Sequence, residues 1–374
     1  MASATLPLRF PPAIILCNRY QSLPCSTKHF KLSRVLGRRL SYSAAPGPPN
    51  PATRAVISDA PTEKPQYPKI AAEPTGPIPP AQLLEVVEAA AKSGAEVVME
   101  AVNKPRNISY KGTTDLVTDT DKSSESAILE TVRKDFTDHL VLGEEGGLIG
   151  NTVSDYLWCI DPLDGTTNFA HGYPSFAVSV GVLFRGKPAA ASVVVNSNVD
   201  ATVGGGAFCN GQKIHVSQTN QVEKSLLVTG FGYEHDEPWV TNMNLFKEFT
   251  DISRGVRRLG AAAVDMSHVA LGIVESYWEY RLKPWDMAAG VLIVEEAGGT
   301  VTRMDGGPFC VFDRSVLVSN GLLHSKRKEE GKRKEAAETV LGGVEKEGRL
   351  RTMVATPGRK QNWAAVIVLT SSND

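Results

Sequence analysis

The stretch Trp158 to Ala170, Trp-Cys-Ile-Asp-Pro-Leu-Asp-Gly-Thr-Thr-Asn-Phe-Ala, constrains this chain more than any other. Tyr156, Leu157, Trp158, Cys159 and Ile160 form an apolar and aromatic run of the kind expected for a buried strand, so Asp161 stands at that strand's end. Pro162 interrupts strand pairing, Asp164-Gly165 is turn chemistry, and Thr166-Thr167-Asn168 offers hydroxyl and amide groups to a helix start. Unpaired backbone N–H groups at such a start favour an anion. Two carboxylates aimed at the same spot repel each other and any phosphate. A hard divalent cation such as Mg²⁺ resolves the conflict, because it takes carboxylate and phosphate oxygens together. Taken alone, the stretch is also compatible with an ordinary capped turn, so its meaning depends on its neighbours.

From Met1 to Ser58 there is no Asp or Glu, while arginines and lysines are scattered among Ser, Thr, Pro and Ala, which is the composition of an organelle transit peptide. The Met-Ala-Ser opening and the many hydroxyl residues favour a plastid, and hence the chloroplast stroma, over a mitochondrion; a merely disordered basic tail is the alternative. Residues 59–80 are rich in Pro and Thr and read as a linker, residues 81–324 as the folded domain, and residues 325–374 as an atypical charged extension. Ala81 to Val102 has helical spacing. Asp115 to Asp121 leads into a second helical pattern with Ile128, Leu129, Val132 and Phe136 on one face. Asp119 there reads as an ordinary first-turn carboxylate. A strand from His139 to Leu142 leads to Gly143-Glu144-Glu145-Gly146-Gly147, an acidic pair bounded by glycines. Strands follow at Phe176 to Phe184, Ala190 to Val195, Leu226 to Gly230, Glu275 to Tyr280, Thr300 to Met304 and Val316 to Ser319. Helices are expected at Thr241 to Phe249, Gly260 to Leu271, and from Pro284, a residue suited to a first helical turn, through Ala297. The loose alternation predicts a layered α/β fold with mixed sheets.

Net charge of −1 removes any global basic field for nucleic acid, and no apolar run reaches the roughly 18 residues needed to span a bilayer. Cys159, Cys209 and Cys310 are far apart and show neither disulfide-framework nor zinc spacing. His139, His171, His215, His235, His268 and His324 pair with no nucleophile motif and read as packing or surface residues. What remains is acidic: Asp121, Glu144, the Asp161/Asp164 pair and Asp286, each at a strand or helix end. Hydrolysis of a phosphate monoester needs cations to acidify water and to neutralise the leaving oxygen, and a group to orient the nucleophile; this set can supply all three.

These residues resemble the inositol monophosphatase family. Asp161-Pro-Leu-Asp-Gly-Thr-Thr-Asn-Phe169 is similar to its first signature, and Trp285-Asp-Met-Ala-Ala-Gly290 followed by Glu296-Ala-Gly-Gly299 to its second. Asp115-Leu-Val-Thr118 with Asp121, and Gly143-Glu-Glu145, also match, and the leader places the resemblance nearest the plant plastid branch. The resemblance implies the αβαβα five-layer sandwich shared with fructose bisphosphatases, two or three Mg²⁺ per site, a usual homodimer and lithium sensitivity. It implies that Glu144, Asp161 and the Leu163 carbonyl hold one Mg²⁺, and that Asp161, Asp164 and Asp286 hold a second. Thr166, bonded through Asp121, would orient the attacking water, the N–H groups of Gly165 and Thr166 would receive phosphate oxygens, Glu279 would bind ring hydroxyls, and Gly260, Ala261 and Ala262 would line the polyol.

Three departures from the family pattern stand out. Ala261 replaces a hydroxyl residue often found there, which touches substrate preference. The segment between Ser192 and Gly204 is short enough to suggest a truncated hairpin. After His324 the chain continues as Ser325-Lys-Arg-Lys-Glu-Glu-Gly-Lys-Arg-Lys334, which reads as a solvated extension rather than a nuclear signal. The expectation is a plastid Mg²⁺-dependent phosphomonoesterase acting on myo-inositol 1-phosphate, with galactose 1-phosphate and histidinol phosphate as related substrates. The alternative from another class is a non-catalytic plastid scaffold or RNA-associated regulator that kept the fold.

Overall fold

In the computed structural model the described residues are 67–105, 107–110, 116–194 and 198–324. The leader, residues 59–66, Asp115 and the extension from Ser325 lie outside them. The first helical pattern forms α1 (Pro80–Ala101), which buries Leu83, Val86, Val87, Ala90, Ala91, Ala95 and Val98 as one stripe. Next come β1 (Ile108–Tyr110), β2 (Leu116–Thr118), α2 (Asp119–Asp135), β3 (Leu140–Gly143), β4 (Gly147–Ile149), β5 (Tyr156–Asp164), α3 (Thr166–His171), β6 (Ala177–Phe184), β7 (Lys187–Val194), β8 (Asn198–Thr202), β9 (Gly206–Cys209) and β10 (Gln212–Lys213). The second half holds β11 (Leu226–Thr229), α4 (Glu237–Ile252), β12 (Gly255–Arg257), α5 (Ala262–Ala270), β13 (Ser276–Tyr280), α6 (Pro284–Glu296), β14 (Thr300–Thr302) and β15 (Ser315–Ser319).

Two sheets divide the fold: an eight-stranded one ordered β10-β9-β8-β7-β6-β5-β3-β4 and a five-stranded one ordered β12-β11-β13-β15-β14. Helices α1 and α2 pack together on one face of the larger sheet, with Ile128, Trp158, Val180 and Val182 in that core. Helices α5 and α6 fill the space between the sheets through Met266, Ala288, Val291 and Ile293. Helix α4 covers the smaller sheet with Leu245 and Phe249 against Trp278 and Leu317. The layers are therefore αβαβα. Helix α6 is apolar around most of its circumference, as a helix between two sheets must be. It runs so close to β6 that a Cβ on Gly181 would come within 2.9 Å of the Ala288 backbone.

Three expectations are corrected. Strand β5 does not stop at Pro162: pairing with β6 resumes at Asp164↔Ala177 after a bulge that follows Asp161↔Ser179. Proline is tolerated there because the bulged residue has no ladder bond to lose. The hairpin after Ser192 is not truncated, since β7 and β8 pair from Ala190↔Thr202 to Val194↔Asn198, and Ser192 Oγ donates to Asn198 Oδ1 at 2.8 Å. Residues 67–80 are not a free linker. Ile70, Ala71 and Ala72 are buried, the N–H groups of Ile70 and Ala71 bond the two Glu295 carboxylate oxygens at 2.9 and 3.0 Å, and the Ala72 N–H bonds the Pro188 carbonyl at 2.7 Å. Proline-rich composition signals lack of periodic structure, and here the stretch is a strap over the core. Among the described residues no helix is long and apolar enough to cross a membrane.

Candidate active site

The bulge in β5 decides the geometry of the site. It turns Asp161 and Asp164, both buried, toward one end of the larger sheet. The Asp161 Oδ1 accepts from the Leu163 N–H at 3.0 Å, which braces the bulge from inside. Asp164 reaches across the molecule: its Oδ1 and Oδ2 accept from the N–H groups of Ala262 and Ala263 at 3.0 and 2.7 Å, capping α5 with a carboxylate where the helix end is electropositive. Gly165 has φ +85°, and a Cβ there would stand 2.8 Å from the Ser175 carbonyl. Glycine is what admits this turn.

Helix α2 begins with a capping box. The Thr118 N–H and Oγ1 donate to Asp121 Oδ2 at 2.8 and 2.5 Å. Its other oxygen is thereby aimed at Thr166, whose Oγ1 lies 3.0 Å from both Asp121 Oδ1 and the Leu163 carbonyl. Burial raises the Asp121 carboxyl above its ordinary value, against the opposing pull of the Thr118 and Thr166 bonds. Glu144 follows β3, held by its N–H on the Ile160 carbonyl at 3.1 Å. Asp286 stands in the first turn of α6 and accepts the Lys283 N–H at 2.6 Å. Glu279 is the penultimate residue of β13, with the Tyr277 hydroxyl donating to it at 2.5 Å.

These groups converge on a cavity of about 330 Å³ lined by Glu144, Asp161, Leu163, Asp164, Gly165, Thr166, Gly260, Ala262, Glu279 and Asp286. Asp121 stands where the resemblance implies, and Ala261 does not. Asp121 lies behind Thr166, and Ala261 is buried beneath the loop, where it would meet a Cβ on Gly165. Asp119 is exposed and bonded to Asn107, as an ordinary first-turn carboxylate. His139 stacks between Phe136 and Tyr156 and accepts from Trp158 Nε1, a packing role.

Burial, then the charges of Glu144, Asp164 and Asp286, pushes Asp161 well above its ordinary range. Burial also raises Asp286 well above its usual value and brings Asp164 and Glu279 each to about 7. The largest charge effects on Asp161, Asp164 and Asp286 come from neighbouring carboxylates, opposed mainly by backbone N–H bonds. All the donors are hard oxygens, which suits Mg²⁺. Among the described residues, no three side chains already close on one point as a finished metal cage.

Composition and motif reading passed over Arg258, Arg281 and Lys283, which line the same cavity and bring positive charge to its rim. Arg258 lowers the proton affinity of Glu279 and Asp265. Asp265 is fully buried with neither oxygen hydrogen-bonded, and burial followed by Glu279 and Asp164 raises it strongly. Its place within an apolar helical run, Ala-Ala-Ala-Val-Asp-Met, is the signal that was available.

Residues 80–341 match the inositol monophosphatase family. The chain is 75% identical over 283 residues to "Phosphatase IMPL1, chloroplastic" of Arabidopsis thaliana, spanning 73% of this chain and 76% of that protein. It is 42% identical over 244 residues to the inositol-1-monophosphatase of Synechocystis sp., spanning 64% and 84%. Among solved structures, the inositol monophosphatase from Anabaena (Nostoc) sp. PCC 7120 is similar with a TM-score of 0.60 and 40% identity, covering 66% of this chain and 93% of that one.

Proposed function

The chain belongs to the inositol monophosphatase family and is a phosphatase, and on that premise we propose that it hydrolyses myo-inositol 1-phosphate with Mg²⁺, as a homodimer in the chloroplast stroma. One observation carries the reading: Glu144, Asp161, Asp164 and Asp286 share a cavity with a hydroxyl backed by a buried carboxylate, and the Glu144 charge raises the proton affinity of the other three. Glu144, Asp161, the Leu163 carbonyl, Asp164 and Asp286 would hold the cations. Bound there, Mg²⁺ supplies acidity to the attacking water and neutralises charge on the ester. Thr166 accepts a proton from the water as its own passes toward Asp121, whose raised affinity suits it to receive one. The Gly165 and Thr166 N–H groups orient the phosphate. Glu279 takes the polyol hydroxyls beside Arg258, and this pair gains weight because Ala261 carries no hydroxyl and lies out of the cavity. The leader and the relative described as chloroplastic support the plastid.

The test is phosphate release from myo-inositol 1-phosphate by protein carrying residues 59–374, with and without Mg²⁺, beside galactose 1-phosphate, histidinol phosphate and an Asp161→Asn variant. Turnover is expected only with Mg²⁺, highest on the inositol ester, and reduced to background in the variant. Cation-independent turnover, or an unaffected variant, would sink the reading of the site; preference for another ester would overturn the substrate alone.

A further inference from the structure

Asp121, Ser124 and Glu125 lie three and four residues apart on α2, so they share one face of the helix. All three are buried, at 4% exposure or less. Each reaches a different piece of the cavity wall. Asp121 holds Thr166. The Ser124 hydroxyl donates to the Pro162 carbonyl at 2.8 Å, inside the bulge that separates Asp161 from Asp164. Glu125 accepts the N–H groups of Glu145 and Gly146 at 2.9 and 2.6 Å, in the turn that carries Glu144.

The fit around Glu125 is close. A Cβ on Gly143 would come within 2.4 Å of its carboxylate, and one on Gly146 within 2.6 Å. The glycines flanking Glu144 and Glu145 thus make room for a side chain from a separate helix, 21 residues before Gly146 in sequence. Burying another carboxylate beside a cavity already crowded with them is costly, and the two N–H bonds offset that cost. An apolar residue could fill the volume, but it could not grip the turn.

Resting on the metal-dependent reading above, we propose that Ser124 and Glu125 are positioning residues: one face of α2 sets the Glu144 turn against the Asp161–Asp164 bulge, so the carboxylates stand at a fixed separation before a cation arrives. Ligand-bearing loops placed this way need little reorganisation on binding, and partners that orient metal ligands typically contribute about 10–100-fold to metal affinity.

The experiment is Mn²⁺ binding followed by electron paramagnetic resonance on the full chain, together with thermal melting in the absence of metal. Glu125→Gln keeps the shape but leaves one turn N–H facing an NH₂ group; Ser124→Ala removes the bond to the bulge; Glu130→Gln, exposed on α2, is the control. Glu125→Gln is expected to weaken Mn²⁺ binding by about 10–100-fold, and Ser124→Ala by a smaller factor in the same direction. The Mg²⁺ concentration for half-maximal phosphate release should rise in step, with Glu130→Gln unchanged. A purely structural role would lower the melting temperature while leaving Mn²⁺ affinity of the folded protein intact, and that result overturns the proposal. Where Glu125→Gln fails to fold, Ser124→Ala decides: unchanged affinity overturns the proposal and weakened affinity supports it. Wild-type protein that binds no Mn²⁺ overturns the metal-dependent reading as well, so the two failures are told apart.

Discussion

Replacing Glu279 by glutamine should make the metal-free protein more stable at pH 8 and nearly equal to wild type at pH 5. Burial outweighs the Tyr277 hydroxyl bond and the Arg258 charge at this position and lifts the carboxyl from 4.5 to about 7. The folded chain therefore holds the proton more tightly than the unfolded chain. The stability this contributes is complete below about pH 4.5 and is lost as pH rises toward 7. Moving a carboxyl's proton affinity over that interval corresponds to a loss on the order of 3 kcal/mol. Glutamine has the same shape and still accepts the Tyr277 hydroxyl, but has no proton to lose. His139 and His268, which burial holds below 6.5, gain stability with rising pH, yet they do so in both proteins and cancel in the comparison. Urea denaturation of wild type and Glu279→Gln without divalent cations, at pH 5 and pH 8, measures the difference directly. The gap between the two proteins should widen by on the order of 3 kcal/mol across that interval, or roughly 6–12 °C in melting temperature for a domain of this size. A gap that is the same at both pH values would refute the reasoning, since Glu279 would then hold its proton no more tightly than an exposed carboxyl does.

Gly165→Ala forces a side chain into φ +85° and 2.8 Å from the Ser175 carbonyl; a destabilisation of about 1–3 kcal/mol is expected in urea melts, with phosphate release falling further than stability accounts for. Starting the chain at Pro80 removes buried Ile70 and the two N–H groups that satisfy Glu295. The expected loss is on the order of 3 kcal/mol relative to a chain starting at residue 59, and equal melting temperatures would show that the strap contributes nothing.

Local chemistry announced itself in the amino-acid order. The Pro at the start of α6, the helix start at Thr166-Thr167-Asn168 and the apolar stripe of α1 are short-range patterns, and each produced the element its spacing implied. Carboxylates at strand and helix ends were legible for the same reason, because strand and helix periods fix where an element stops. Interactions between distant residues carry no such period. That Asp164 caps α5 ninety-eight residues later, that Glu295 ties down a segment 225 residues earlier, and that Arg258 faces Glu279 in the cavity wall all depend on how the sheets stack. The bulge through Pro162 belongs with them: a proline reads as a break in one strand, but pairing with β6 on the far side of it needs a partner whose position no local pattern encodes. The same holds for Ser124 and Glu125, unremarkable polar residues on a helix until folding brings the Pro162 carbonyl and the turn after Glu144 within reach of their side chains. Side-chain type and spacing thus specified which groups this protein has for its chemistry. Packing of the layers specified the distances and dielectric that shift their proton affinities, because burial and long-range hydrogen bonds exist only once the chain has closed on itself.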